Sequence, residues 1–178
     1  MIIISNHLLE KTDLEFPPHV VMRINVAWLK TKRDLVALLE KLTHTIYLDY
    51  PKGRTKPPKP TIPLDDVINL AHDFKHKVKY FAVSNVENHL DIHKIKIQLP
   101  KTTMLIPKIE TALGVENLER IVRKIKTKYI MLDKEDLYVD INRDHKLFEK
   151  LVEETRKKCR KLRVTNLELQ GVVFAPHS

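Results

Sequence analysis

Charged residues set into apolar runs mark the candidate chemistry of this chain. The run Leu105-Ile106-Pro107-Lys108-Ile109-Glu110-Thr111 places Lys108 and Glu110 two residues apart. In an extended strand alternate side chains share a face, so Lys108 and Glu110 point together and Ile109 points away. The run Tyr129-Ile130-Met131-Leu132 releases Asp133-Lys134-Glu135-Asp136, and two earlier runs end in Arg23-Ile24-Asn25 and Leu48-Asp49-Tyr50. Arg23, Asp49, Lys108, Glu110 and Asp136 thus come from the ends of four apolar runs. Charges there are costly unless paired or metal-bound, so these groups are expected to satisfy one another. Two carboxylates without a cysteine or a close histidine pair suit a hard cation, Mg²⁺ or Mn²⁺, on Glu110 and Asp136. Such a cation can hold a 2-oxo acid or an enolate, with Lys108 and Arg23 stabilising the negative charge that develops. Spacing alone leaves a second reading open, a structural ion-pair network closing the top of a sheet.

The elements that must position these residues alternate between short β-branched runs and longer stretches of helical periodicity. Expected strands are 2–5, 20–25, 45–49, 78–84, 103–110, 129–132 and 171–175. Between them, 32–42 carries Leu35, Leu38, Leu39 and Leu42, the stripe of a helix packed on a sheet, and 64–74, 115–125 and 146–162 read alike. Strands apolar on both faces and separated by helices define a parallel α/β sheet. The fold class is a shortened (β/α) barrel of seven parallel strands lacking the eighth, since a complete one runs to about 250 residues. Residues 1–178 are read as one such domain. A Pro- and Lys-rich linker, Pro51 to Pro60, comes after a strand end and so lies at the carboxyl edge, where α/β folds bind ligands.

The 178 residues are 43% hydrophobic and 31% charged, enough apolar material for a core and too much for a disordered chain. No apolar run approaches the roughly 20 residues of a membrane span, and the start of the chain lacks the pattern of a signal peptide. The expectation is a cytoplasmic protein that does not engage membranes. The single Cys159, inside a very basic stretch, excludes a disulfide framework and a cysteine-based zinc site and reads as an incidental helix residue. Only three glycines are present, few for a protein that wraps phosphates with backbone.

The segment Ile106-Pro107-Lys108-Ile109-Glu110-Thr111-Ala112-Leu113-Gly114-Val115-Glu116-Asn117-Leu118 resembles the active-site segment of pyruvate kinase. Ile130 to Ile141 resembles the strand whose Asp completes that metal site, Arg23-Ile24-Asn25 its Arg-Leu-Asn segment, and Tyr47 to Gly53 the stretch before its lid domain. The same segments also resemble the β subunit of citrate lyase, the malyl-CoA lyases and the 2-oxo acid aldolases. Glu135-Asp136-Leu137 with Asp140 is nearer to their pattern, whereas Lys108 matches pyruvate kinase. The resemblance is collinear over nearly the whole chain and is to the phosphoenolpyruvate/pyruvate-domain superfamily. It implies a barrel with Mg²⁺ on Glu110 and Asp136 and with Arg23 near the substrate; Asn25 and Asp49 are the accompanying substrate-binding candidates, and Lys108 and Arg23 the catalytic ones.

Departures from the resemblance argue against a functional pyruvate kinase. Glu135 and Tyr138 stand where that enzyme has glycines, so their side chains are expected to crowd the site. Pro176 replaces an expected Thr, and only a Pro-rich linker comes after Gly53 where a lid should be; phosphoryl transfer would lack its positioning parts. Asp133 stands where the lyases carry Gly, an extra carboxylate that either binds the metal or fills the pocket. The implied activity is a divalent-metal-dependent lyase or aldolase acting on a small 2-oxo acid or acyl thioester through an enolate. The alternative is a catalytically inactive barrel serving as a binding or assembly module. An open barrel edge also calls for a homo-oligomer or a covering partner.

The net charge of +9 and the basic stretches at 120–128 and 156–163 raise nucleic-acid binding. These residues fall on outer helix faces with few aromatics to stack on bases, so nucleic acid is not an expected partner. His72 with His76 and His89 with His93 have i, i+4 spacing but lack a catalytic Glu between them. His177 comes after an expected strand end as a candidate acid or base, and Trp28 sits in a loop at the same edge as Arg23.

Overall fold

The computed structural model describes residues 3–5, 16–53 and 58–168. Among them, seven strands form one sheet: β1 (Ile3–Ser5), β2 (Val21–Asn25), β3 (Thr45–Tyr50), β4 (Val78–Val83), β5 (Met104–Ile109), β6 (Tyr129–Leu132) and β7 (Thr165–Leu167). They lie in sequence order and every neighbouring pair is parallel. A parallel neighbour requires a crossover, and from β2 onward helices supply it. These are α1 (Lys32–Lys41), α2 (Leu64–Asp73), α3 (Leu90–Gln98), α4 (Ala112–Glu116), α5 (Leu118–Ile125), α6 (Lys134–Asp140) and α7 (His145–Leu162), with a 3-10 turn at Val26–Trp28.

The period of two divides the core into two parts. Met22, Ile24, Ile46, Leu48, Phe81, Leu105, Ile109 and Ile130 face outward and pack with the helices in a large buried cluster. Val21, Tyr47, Ala82, Ile106, Met131 and Leu167 face inward and make a separate buried cluster, bordered by Tyr80 and Tyr129. Two cores on the two faces of one curled parallel sheet are the signature of a barrel, here a shortened one, as the sequence predicts.

The helices are stopped and started by local chemistry. Thr31 and Asp34 form a reciprocal capping box at the start of α1, and Lys77 Nζ donates to the carbonyls of Leu39 (2.7 Å) and Leu42 (2.9 Å) near its end. The single helix expected over 115–125 is two, broken at Asn117, whose side-chain amide donates to the Glu87 carbonyl (3.1 Å). Neither α3 nor α6 is marked by the apolar periodicity; α3 alternates apolar and polar residues almost like a strand.

The seventh described strand is not among those expected from the sequence. Thr165–Leu167 pairs with β6, Thr165 N–H donating to the Lys128 carbonyl (2.9 Å) and Leu132 N–H to Asn166 Oδ1 (3.0 Å). Three residues with a central Asn carry almost no strand signal, so pairing with β6 and not local preference makes them a strand. The strand expected at 171–175 lies outside the described residues.

Candidate functional site

Above the inward apolar layer, each of the five strands β2 to β6 contributes one polar residue two positions further along. Val21 leads to Arg23, Tyr47 to Asp49, Ala82 to Ser84, Ile106 to Lys108 and Met131 to Asp133. The pleat therefore delivers a ring of polar side chains to the carboxyl end of the barrel, with Glu110 one step higher. The apolar floor keeps water from below, so these groups must be satisfied laterally.

Arg23 places Nε (2.9 Å) and Nη2 (2.5 Å) on the same oxygen of Asp49, whose carboxylate is 1% exposed. Lys108 Nζ sits at the centre, 2.9 Å from Glu110 Oε1, 3.7 Å from both Asp49 Oδ2 and Asp133 Oδ2, and 3.1 Å from the Ser84 hydroxyl. Burial by itself would lower the Lys108 pKa, but Asp49, Glu110 and Asp133 outweigh it and hold the ammonium above its usual value. Arg23 is raised in the same way, burial being outweighed by Asp49. The second oxygen of Glu110 accepts the backbone N–H of Asn85 (3.1 Å). Asn85 adopts a left-handed backbone (φ 52°), and its side-chain amide donates to the Lys52 carbonyl (2.9 Å). Burial raises the Glu110 pKa against the pull of Lys108, with Asp133 and Asp136 adding to the rise.

Asp133 closes the cluster by two contacts. As the N-cap of α6 its Oδ1 accepts the Asp136 N–H (3.3 Å), which fixes both carboxylates at the same helix start. Glu110, Asp133 and Asp136 each offer an oxygen within 4.8 Å of the others. They line a cleft of about 300 Å³ together with Arg23, Ser84, Asn85 and Lys108. Two cations, Arg23 and Lys108, meet four carboxylates, Asp49, Glu110, Asp133 and Asp136, which leaves two negative charges in excess. An all-oxygen donor set with that excess fits a hard divalent cation, and Glu110, Asp133 and Asp136 are the residues that could hold one.

The structure brings Arg23, Lys108, Glu110 and Asp136 to one cleft, as their strand-end positions predict. Asp49 stands behind them, anchoring Arg23 and Lys108. Asn25 is not among the residues that line the cleft; its Oδ1 accepts the Ala27 N–H (3.1 Å) and caps the 3-10 turn. The expected crowding by Glu135 and Tyr138 does not occur. Glu135 is exposed, and the Tyr138 ring packs edge-on against Phe148 of α7 at 5.2 Å, because α6 turns those positions away from the cleft. Neither Ser84, the last residue of the expected strand 78–84, nor Asn85 is singled out by residue type or spacing as a site residue; only the β4–α3 turn shows that they hold Lys108 and Glu110. Trp28 is 58% exposed, and Pro176 and His177 lie outside the described residues. The helix carrying His72 ends at Asp73, so His76 is not on it; His72 Nε2 lies 2.7 Å from the Gln98 carbonyl. Burial pushes the Cys159 thiol up to about 11, leaving it protonated at neutral pH.

No family model matches the chain, and no curated protein matches it by sequence. Solved structures share its fold. RipC from Yersinia pestis superposes with a TM-score of 0.61 at 14% identity, covering 83% of this chain and 68% of that one. An HpcH/HpaI aldolase/citrate lyase family protein from Burkholderia cenocepacia gives 0.64 at 13% identity, covering 83% and 70%. The citrate synthase SbnG gives 0.63 at 15%, covering 86% and 68%. The chain therefore shares the fold of these solved structures, two of which are named as an HpcH/HpaI aldolase/citrate lyase family protein and a citrate synthase.

Proposed function

We propose that this protein is a divalent-metal-dependent carbon–carbon lyase or aldolase that acts on a small 2-oxo acid or acyl thioester through an enolate. The observation that carries this reading is the three-carboxylate set of Glu110, Asp133 and Asp136 beside Arg23 and Lys108 at the carboxyl end of the barrel. A bound Mg²⁺ or Mn²⁺ would supply Lewis acidity toward the carbonyl oxygen of the substrate. Arg23, fixed by Asp49, presents positive charge to the same cleft and stabilises the oxyanion as it forms. Lys108, held protonated by three carboxylates, adds charge and supplies a proton. Asp49 acts through these two cations as a positioning residue. Phosphoryl transfer is not part of the proposal, because no described residue provides a nucleotide-binding lid.

Two readouts test the proposal. Mg²⁺ or Mn²⁺ should raise the melting temperature of the protein, and the Glu110→Ala/Asp136→Ala variant should lose that shift. In D₂O with the metal, the methyl protons of pyruvate should exchange for deuterium, each C–H broken by proton removal and replaced by C–D, which reports enolate formation without knowledge of the second substrate. Absence of both effects in the parent protein would overturn the reading. It would leave the catalytically inactive binding or assembly module, a reading the mutual pairing of Arg23, Asp49, Lys108 and Glu110 also supports. As part of the same proposal, the protein works in a reducing compartment such as the cytoplasm and associates with itself across the outer strands of its sheet. Among the described residues no helix is long and apolar enough to cross a membrane.

A further inference from the structure

A second groove, of about 610 Å³, opens beside the cleft and is twice its volume. It is bounded by the end of β3, the start of α2 and one side of α3, and it shares Pro51 and Gly53 with the cleft. Its size is that of a site for a complete small molecule. Its charge is opposite to that of the cleft. Lys52, Lys59 and Lys94 line it against Asp65 and Asp91. Asp91 is already engaged: its carboxylate accepts the backbone N–H groups of Glu87 (3.2 Å) and Asn88 (2.9 Å) and the Asn88 side-chain amide (3.1 Å). Lys52 Nζ donates to the Asp91 carbonyl (3.1 Å), which holds this lysine across the groove. Among the described residues Lys59 and Lys94 form no ion pair. Tyr50, Leu64 and Ile95 give the groove an apolar wall.

A cleft that attracts a cation, joined to a groove that attracts an anion, sorts the two ends of one elongated ligand. Lysine is a flexible point-charge donor suited to phosphate, and three of them around an apolar wall fit a carbon chain ending in a phosphate dianion. We infer that the groove holds the phosphorylated far end of the substrate whose near end reacts in the metal cleft. This rests on the enolate reading for the near end, but the anion site itself does not.

Calorimetry with inorganic pyrophosphate, in EDTA and low salt, tests the site apart from the metal. Saturable binding is expected, weakened at least tenfold in Lys59→Glu/Lys94→Glu and unchanged in Arg120→Glu/Lys124→Glu on the outer face of α5. No saturable binding, or loss in the α5 variant rather than the groove variant, overturns the inference. In the pyruvate-type exchange assay, a 2-oxo acid with a terminal phosphate should show a KM at least tenfold below that of its unphosphorylated parent. Lys59→Glu/Lys94→Glu should erase that difference while kcat stays constant; equal KM values in the parent protein also overturn the inference. If pyrophosphate binds as described but neither the metal shift nor the exchange is seen, the enolate reading fails and the anion site stands. If metal shift and exchange are seen without pyrophosphate binding, the groove alone is wrong.

Discussion

Glu110 carries the tension of the site. Its carboxylate is buried among Asp133 and Asp136, and burial lifts its pKa despite a 2.9 Å contact with Lys108. The folded protein therefore holds a proton on Glu110 more tightly than the unfolded chain does. Its contribution to stability is present below the ordinary glutamate value of about 4.3 and is lost as pH rises through the raised folded value. In EDTA, thermal melts of the parent against Glu110→Gln should show the parent losing stability relative to the variant as pH rises across that window. Saturating Mn²⁺ should remove or reverse the slope, because the cation takes the place of the proton. A parent and variant that melt in parallel at every pH would show that Glu110 does not feel the cluster. Lys108 behaves oppositely, its ammonium held by the same carboxylates, so it enters the chemistry as a positive charge and a proton donor rather than as an amine nucleophile.

Short helices and the turns before them determine how precisely these groups are held. Gly114 in α4 faces the β4–α3 turn so closely that a Cβ there would lie 2.8 Å from the Val86 carbonyl oxygen. That turn is tied down by Val86 N–H to the Lys108 carbonyl (3.1 Å) and presents the Asn85 N–H to Glu110. Gly114→Ala must push the turn and with it the donor that orients Glu110. The expected cost is about 1–3 kcal/mol, a fall in melting temperature of roughly 2–4 °C for each kcal/mol. A several-fold weaker Mn²⁺ affinity should accompany it. Loss of stability with Mn²⁺ affinity intact, by calorimetry on the folded variant, would show that the turn does not position Glu110. Asp133 makes the same link at α6, capping the helix and joining the carboxylate cluster with one side chain.

At the scale of the molecule, the sheet runs from β1 to β7 in order, and these are its outer strands among the described residues. An outer strand offers unpaired backbone groups, and covering them is a general need of sheet proteins. Self-association is the expected solution here: sedimentation velocity across micromolar concentrations should show a species heavier than the monomer, and a monomer throughout would contradict it. The positive net charge has a more ordinary disposition. Arg123 and Lys161 both reach Glu119 (2.7 and 3.2 Å), Lys158 reaches Glu154 (2.6 Å) and Arg160 reaches Glu153 (3.2 Å), so much of the basic surface of α5 and α7 is organised as solvated ion pairs.

Strand parity was legible in the residues alone. Arg23, Asp49, Lys108 and Asp133 fall on the inner face because side-chain direction alternates along any extended strand, whatever surrounds it. The same local logic marks α1, α2 and α7 by their apolar stripes. The path of the chain beyond each strand end is set by distant contacts instead. Asn25 caps a 3-10 turn through the Ala27 N–H, Tyr138 is carried away from the cleft by the phase of α6, and Thr165–Leu167 becomes a strand only because β6 pairs with it. Ser84 and Asn85 enter the site through a turn whose path is set by packing against Gly114. The sequence by itself determined which side chains face the barrel interior, since that depends on a period of two. The tertiary structure decided which of them meet, because the stagger between neighbouring strands and the direction of each turn depend on contacts between residues far apart in the chain.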